Sequence, residues 1–385
     1  MERDDVYLDH AASSPLSSLA LEAMLPWLSG PAANPSGAHA RARAARRAVD
    51  DARDRIAAVV GCRSTEVVFT SGGTEADNLA VLGVAARRPG AVACSAIEHP
   101  AVLEAVRSLD DRPTIELGVD RSGRLDLDEL ARRLPGDAAL VSVMAVNNEV
   151  GTIQPVVEAA AAVRAAAPEV VVHTDAIQAP GWVDLRPRWE VVDLLSLSAH
   201  KFGGPQGVGA LVVRTGTPLG ARQLGGSQEL GRRAGTPSVA AIVAMGVALA
   251  EADAQRTATV ARVAVLRDRL ILGIDAAIDG VVELGVADGD RSHKVAANAH
   301  LCIEGVASEE LLFLLDQAGV RAAAASSCAS GAHAGSHVVA ALGATEAQAR
   351  GAIRFSLGAT TTEAEVERAV EVVVAAVGRL RGTAS

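Results

Sequence analysis

The 385-residue chain contains two lysines, Lys201 and Lys294, beside 34 arginines (36 − 2), so chemistry that needs a side-chain amine has two candidates. Lys201 follows Asp193-Leu194-Leu195-Ser196-Leu197-Ser198-Ala199-His200 and precedes Phe202-Gly203-Gly204. A lysine at a strand end, between a Ser/His pair and a Gly-rich turn, suits an amine that forms a Schiff base. Burial and neighbouring cations would lower its pKa. An ordinary surface lysine is the competing reading, which the scarcity of lysine and this placement outweigh. Lys294, in Arg291-Ser292-His293-Lys294, reads as a solvated loop residue.

Cys328 stands in Ala322-Ala323-Ala324-Ala325-Ser326-Ser327-Cys328-Ala329-Ser330-Gly331, a small-residue segment without a core pattern. A thiol on such a loop is placed to attack one molecule and present the product to another; the alternative is a surface cysteine without a role. Cys62, Cys94 and Cys302 lie in apolar or turn-adjacent settings and read as inert thiols. His99, in Glu98-His99-Pro100 after a short apolar run, is either an acid–base group or a stacking partner for a flat ligand, or else a satisfied structural histidine. Asp175 follows Val170-Val171-Val172-His173-Thr174, with Gln178 three residues on. There the pair can hold a protonated ring nitrogen and a ring oxygen, or Asp175 can cap a following helix. Arg354 interrupts the apolar run Ile353–Leu357, so it needs a partner: a substrate carboxylate held bidentately or a structural ion pair. Thr70-Ser71-Gly72-Gly73-Thr74-Glu75 reads as strand, Gly-rich turn and helix start, suited to an anion and equally to a plain capped turn. It matches neither a Walker A loop nor a dinucleotide fingerprint. The histidines and cysteines show no metal-ligand spacing, so no metal is expected.

The elements that must position these residues show in the periodicity. Candidate strands are Glu66–Thr70, Ala91–Ser95, Ala139–Val146, Val170–Thr174, Leu194–Ser198 and Val208–Val213. Helical patterns at Ala38–Val60 and Val156–Ala166 lie between them. This alternation predicts an α/β fold with a mainly parallel sheet. A helix over about residues 238–278 leads to a smaller α+β unit with strands Ala299–Ile303 and Ala352–Leu357 and helices Ser308–Ala318 and Thr362–Leu380.

Composition removes several classes. Acidic residues exceed basic ones, 36 − 46 = −10, which argues against a nucleic-acid or anionic-membrane surface. No apolar run approaches the roughly 18 residues of a membrane span. The start Met1-Glu2-Arg3-Asp4-Asp5 lacks signal-peptide character. A hydrophobic content of 49% excludes a disordered chain, and four cysteines in this length make no disulfide framework, so a cytoplasmic setting is expected.

Taken in order, these segments resemble the cysteine desulfurases, pyridoxal-phosphate enzymes of aminotransferase class V and fold type I. The resemblance runs over nearly the whole chain. It starts at Tyr7-Leu8-Asp9-His10-Ala11-Ala12 and Asn34-Pro35-Ser36, and passes through Thr70–Asn78, Glu98-His99, Asn147-Asn148-Glu149-Val150-Gly151 and Asp175–Gln178. It ends with Ser198–Lys201, Arg233-Ala234-Gly235-Thr236, the Cys328 segment and Ile353–Gly358. It implies a large cofactor-binding domain over residues 16–258 and a small domain from 1–15 and 259–385. By the same resemblance, Lys201 would hold pyridoxal 5'-phosphate as a Schiff base, and Gly73, Thr74, Ser198 and His200 would hold its phosphate. Asp175 would keep the ring nitrogen protonated, with Gln178 and Asn148 at the ring oxygen or nearby groups and His99 stacked on the ring. Thr236 would reach the phosphate of a neighbouring subunit, implying a homodimer. Arg354, with Asn34 and Asn148, would bind the substrate L-cysteine. Cys328 would accept its sulfur as a persulfide, releasing alanine, with Lys201 and His99 as the other catalytic residues, and would pass the sulfur to an acceptor protein.

Placement of the cysteine segment is similar to the iron–sulfur and nitrogen-fixation group, which serves iron–sulfur assembly and tRNA thiolation. Gly225-Gly226-Ser227 and Ala234 depart slightly from that pattern, and the chain ends at Ser385 without the longer tail that docks a scaffold protein. Other acceptors, including DNA- or tRNA-sulfur modification pathways, therefore stay open. A selenocysteine lyase or another class V lyase or aminotransferase would not need Cys328. A non-catalytic sulfur-relay partner would be expected to lack Lys201, Asp175 or His99.

Overall fold

The computed structural model describes residues 5–30, 32–324 and 335–382. The strands in chain order are β1 (Val6–Tyr7), β2 (Val67–Thr70), β3 (Val92–Ser95), β4 (Thr114–Leu117), β5 (Leu140–Ser142), β6 (Val171–Asp175) and β7 (Leu194–Ser198). They continue as β8 (Gly209–Val213), β9 (Val281–Glu283), β10 (Asn298–Ile303), β11 (Val320–Arg321), β12 (Ala323–Ala324) and β13 (Ala352–Ser356). Seven form one sheet in the order β2-β8-β7-β6-β5-β3-β4. Pairs from β7 to β4 are parallel, and β8 alone runs against its neighbours. Both faces are covered, as the near-continuous apolar strands require. Helices Ala40–Val60 and Val156–Ala166 close one side, while Gly73–Ala85 and Pro100–Arg107 close the other.

The six strands expected in the large sheet all form. Regular strand within the run Ala139–Val146 covers only Leu140–Ser142, however: Val143 N and Ala145 N still donate to His173 O and Asp175 O, but Met144 N donates to the Glu98 carboxylate at 2.6 Å, and Val146 bridges to Ile153. The edge strand β4 escaped the sequence reading because it is four residues long and half-exposed, with little apolar signal.

Helix Val239–Ala277, about 58 Å long at 1.5 Å per residue, joins two cores. Ile242, Met245 and Leu249 pack into the core of the large sheet, whereas Val263, Leu270 and Ile274 pack with Phe355, Leu301 and Val373. The second core backs an antiparallel sheet in the order β12-β13-β10-β9. The N-terminus joins this end of the molecule: β1 pairs with β11, and Asp9 bridges to Ser356. Among the described residues no helix is long and apolar enough to cross a membrane.

Lys294 corrects the sequence reading. It is buried, bridged through its backbone to Thr152, and its Nζ donates to Leu284 O at 2.6 Å and pairs with Glu283 at 3.1 Å. The polar tetrapeptide around it pointed to solvent; the fold places β9 over it.

Candidate active site

Lys201 follows β7 in a short 3-10 turn, Ala199–Lys201, at the carboxyl end of the parallel strands. Gly203 continues the turn with φ +85°, a left-handed conformation that favours glycine. The Lys201 Nζ donates to the carbonyls of Ala11 and Ala12, each at 2.7 Å. Beside it opens a cavity of about 400 Å³ lined by Gly73, Thr74, His99, Asn148, Asp175, Gln178, Ser198, His200, Arg354 and also Asp9. Strand ends and loops far apart in the chain thus converge on one amine, where an open α/β sheet places its ligands.

Asp175 closes β6 at the cavity, and no helix follows until Arg186, so it is not a helix cap. Its Oδ1 accepts the Ile177 amide at 2.8 Å. Burial pushes the carboxyl up to about 6, against that amide and the Lys201 charge. Gln178 donates to the Ala11 carbonyl at 2.8 Å, so one carbonyl takes bonds from both Gln178 and Lys201.

His99 is a structural cap, and it also lines the cavity. Its Nδ1 accepts the Ala101 amide at 3.1 Å and caps helix Pro100–Arg107, while the ring lines the cavity. With Nδ1 as acceptor, the neutral ring carries its proton on Nε2. Burial, with Lys201 and His337, lowers it to about 4, so His99 is a neutral donor at pH 7. His200 is likewise lowered to about 4, by burial and then Lys201.

The Gly-rich turn meets the cavity at the start of helix Gly73–Ala85. A Cβ at Gly73 would lie 2.2 Å from Ile177 Cδ1, so any larger residue would have to displace the Ile177 side chain. The helix start therefore offers free N–H groups to an anion. Arg354, on β13 and 3% exposed, forms the structural ion pair of its two alternatives and also lines the cavity. Its guanidinium donates to Asp9 Oδ1 at 2.7 Å and to Asn148 O at 2.8 Å, while Nε has no partner among the described residues.

The comparisons with known proteins show the family. A family model described as aminotransferase class V matches residues 6–369. The chain is 41% identical to an IscS-like cysteine desulfurase of Mycobacterium tuberculosis strain H37Rv, covering 98% of each. It is 38% identical to cysteine desulfurase IscS of Dictyoglomus turgidum, over 98% of this chain and 95% of that protein. The solved structure of a NifS-like protein superposes with a TM-score of 0.89 at 31% identity, covering 96% of this chain and 98% of that one. The chain belongs to the class V aminotransferases, among the cysteine desulfurases.

Not every residue expected of a cysteine desulfurase gathers at Lys201. Thr236 is exposed and lines a separate cavity with Thr70, Arg233 and Gly235. Asn34 is exposed, its side chain accepting the Ser36 amide at 2.9 Å. Cys328 lies outside the described residues. Cys94 and Cys302 are buried as expected, while Cys62 is half-buried with its thiol pushed up to about 12 by burial.

The sequence reading missed Asp9 as a site group, because its partner Arg354 is 345 residues away. It also missed a buried acid cluster behind Asp175. Asp77 and Glu98 are fully buried, and burial holds both carboxyls well above the usual range. His173, hydrogen-bonded to Ser142 at 2.8 Å and Ser196 at 3.0 Å, lies beside Asp77 and is kept neutral by burial. Its position two before Asp175 on one strand face was the available signal.

Proposed function

We propose that the chain is a pyridoxal-phosphate-dependent cysteine desulfurase, of the EC 2.8.1.7 type, that moves sulfur from L-cysteine to Cys328 and releases L-alanine. The observation that carries this reading is the convergence of Lys201, Asp175, Gln178, His99, the Gly73 turn and Arg354 on one cavity of about 400 Å³. The donor set fits the cofactor: an amine for its aldehyde, a buried carboxyl for its ring nitrogen, and a cradle at Gly73 that a Cβ would fill for its phosphate. Bound there, the cofactor would supply an electron sink for charge developing at the substrate α-carbon.

The chain's own groups divide the remaining work. Thr74, Ser198 and His200 flank the Gly73 turn and would hold the phosphate, with Thr236 offered across a homodimer. His99 would stack on the ring and offer its Nε2 proton. Arg354, whose Nε has no partner among the described residues, would take the substrate carboxylate, with Asn34 and Asn148 assisting. Lys201 Nζ, held by two carbonyls that it can exchange for new partners, would bond the cofactor and later take the α-proton. The Cys328 thiolate would attack the substrate sulfur. The C–S bond breaks and an S–S bond forms, so that cysteine plus enzyme thiol gives alanine plus enzyme persulfide. An acceptor protein would then take the sulfur in the cytoplasm, without direct nucleic-acid or membrane contact. The division into residues 16–258 and residues 1–15 with 259–385 is supported by the two cores that helix Val239–Ala277 joins.

The test is product analysis with L-cysteine and a thiol reductant. Equal amounts of alanine and sulfide are expected, both lost in Cys328→Ser while the cofactor stays bound. Pyruvate and ammonia in place of alanine would overturn the reading in favour of a β-eliminating lyase.

A further inference from the structure

The chain that carries Cys328 rejoins the described fold at Gly335–Ser336, directly before helix His337–Ala341. Two bonds hold this point, and each ends on a residue adjacent in sequence to a cavity group. Ser336 Oγ lies 2.5 Å from Glu149 Oε2, and Glu149 follows Asn148, whose carbonyl takes the Arg354 guanidinium. His337 Nε2 lies 3.0 Å from the carbonyl of Glu98, which precedes His99.

We propose that Glu149 is a positioning residue for sulfur transfer: through Ser336 it fixes the point where the Cys328-bearing chain re-enters the fold, against the Asn148–Arg354 wall of the cavity. The inference rests on the desulfurase reading, which makes Cys328 the sulfur acceptor.

Glu149 is built as an anchor. Its amide donates to Asn147 Oδ1 at 2.9 Å, and its carbonyl accepts Asn298 Nδ2 at 2.8 Å and faces His300 Nδ1 at 3.1 Å. The backbone is therefore pinned from its own turn and from β10, and the side chain has one direction to serve. Glu149 and Ser336 are both buried, so water does not compete for this bond. Ser336 Oγ also accepts the Val339 amide at 3.1 Å, so the hydroxyl joins the anchor to the start of the helix. Burial pushes the Glu149 carboxyl up to about 7, opposed by Ser336 and the Arg354 charge. The tether holds in either protonation state, because a carboxylate accepts the Ser336 proton and a carboxylic acid donates its own. None of these bonds contributes a group to the cavity, so loss of the tether should act on the anchorage of the chain that leads to Cys328 and leave binding intact; catalysis that depends on positioning is sensitive to such changes.

The experiment compares Glu149→Leu, which removes the tether, with Glu149→Gln, whose amide oxygen still accepts from Ser336. Both leave the Ser336 cap in place. In the holoenzyme, E149L is expected to lower kcat for alanine and sulfide by roughly tenfold or more, with KM for L-cysteine and cofactor affinity within about twofold of wild type. E149Q should recover most of that rate. In cofactor-free protein, the amides of Val338–Ala341 should exchange hydrogen faster in E149L than in E149Q or wild type. Wild-type turnover and exchange in E149L would overturn the proposal. So would an equal loss of kcat, KM and cofactor in both variants, which would make Glu149 part of the cavity's own assembly. If wild-type protein released no alanine from cysteine, the desulfurase reading would fail instead, and the exchange comparison would still decide the tether.

Discussion

The two lysines occupy opposite kinds of site. Lys294 is the more enclosed: its side chain is fully buried, paired with Glu283 and bonded to Leu284 O, and burial lowers it to about 8 against the pull of Glu283. Arg291 shares the same carboxylate at 2.6 Å, and Arg267 stands close by. No cavity opens on this group among those described. Lys201 is only half-buried, and its amine rests on two backbone carbonyls at the edge of an open cavity. A perturbed pKa in a buried site thus marks structure as readily as chemistry. Access and exchangeable partners would separate a reactive lysine from a structural one.

The sharpest way to break this comparison is to remove each amine in turn. Lys201→Ala should abolish alanine and sulfide production, a loss of roughly 10⁴-fold or more, with the thermal unfolding midpoint of the cofactor-free protein nearly unchanged. Lys294→Met should do the reverse, keeping turnover per folded molecule within a few-fold. Comparable loss of turnover in both variants would erase the distinction.

A smaller effect concerns stability. Lys294→Met leaves Glu283 buried against Arg291 alone and should cost about 3–5 kcal/mol in urea unfolding. Adding Glu283→Gln should cost less than the two single changes summed, because the carboxylate that lost a partner is then gone as well. Full additivity would mean that the pair does not act as a unit.

The smallest effect is on pH dependence. Folded Lys294 titrates near 8, below the roughly 10.4 of an unfolded lysine. Between those values the unfolded chain binds more protons, so stability from this group rises with pH across the window and is flat below it. Wild type should therefore gain on K294M by roughly 1–3 kcal/mol between pH 8 and 10.5. A constant difference across that range would place the Lys294 titration elsewhere.

Much of the fold was legible because hydrophobic periodicity is local. The strand Leu194–Ser198 and the helix Val156–Ala166 match their expected bounds, since each carries its own apolar pattern between clear breaks. Strand β4 was invisible for the opposite reason, a short half-exposed edge. At the site, Lys201, Asp175, Gln178 and Gly73 were each legible at a strand end or turn, and their convergence followed from the parallel sheet. Glu98 and Glu149 were not, because a single carboxylate in a loop carries no sign of which amide or hydroxyl it will meet.

By itself the sequence determined which side chains exist to do chemistry, the order in which they occur, and the alternation that makes a parallel sheet and its ligand-facing edge. Only the tertiary structure decided which polar groups leave water and with whom. It took Lys294 into a buried pair with Glu283 and joined Asp9 to Arg354 across the length of the chain. It also turned His99 into a helix cap whose ring lines the cavity. Helical and strand periods are set by neighbours in sequence, whereas burial of a charge is settled by partners brought together in space.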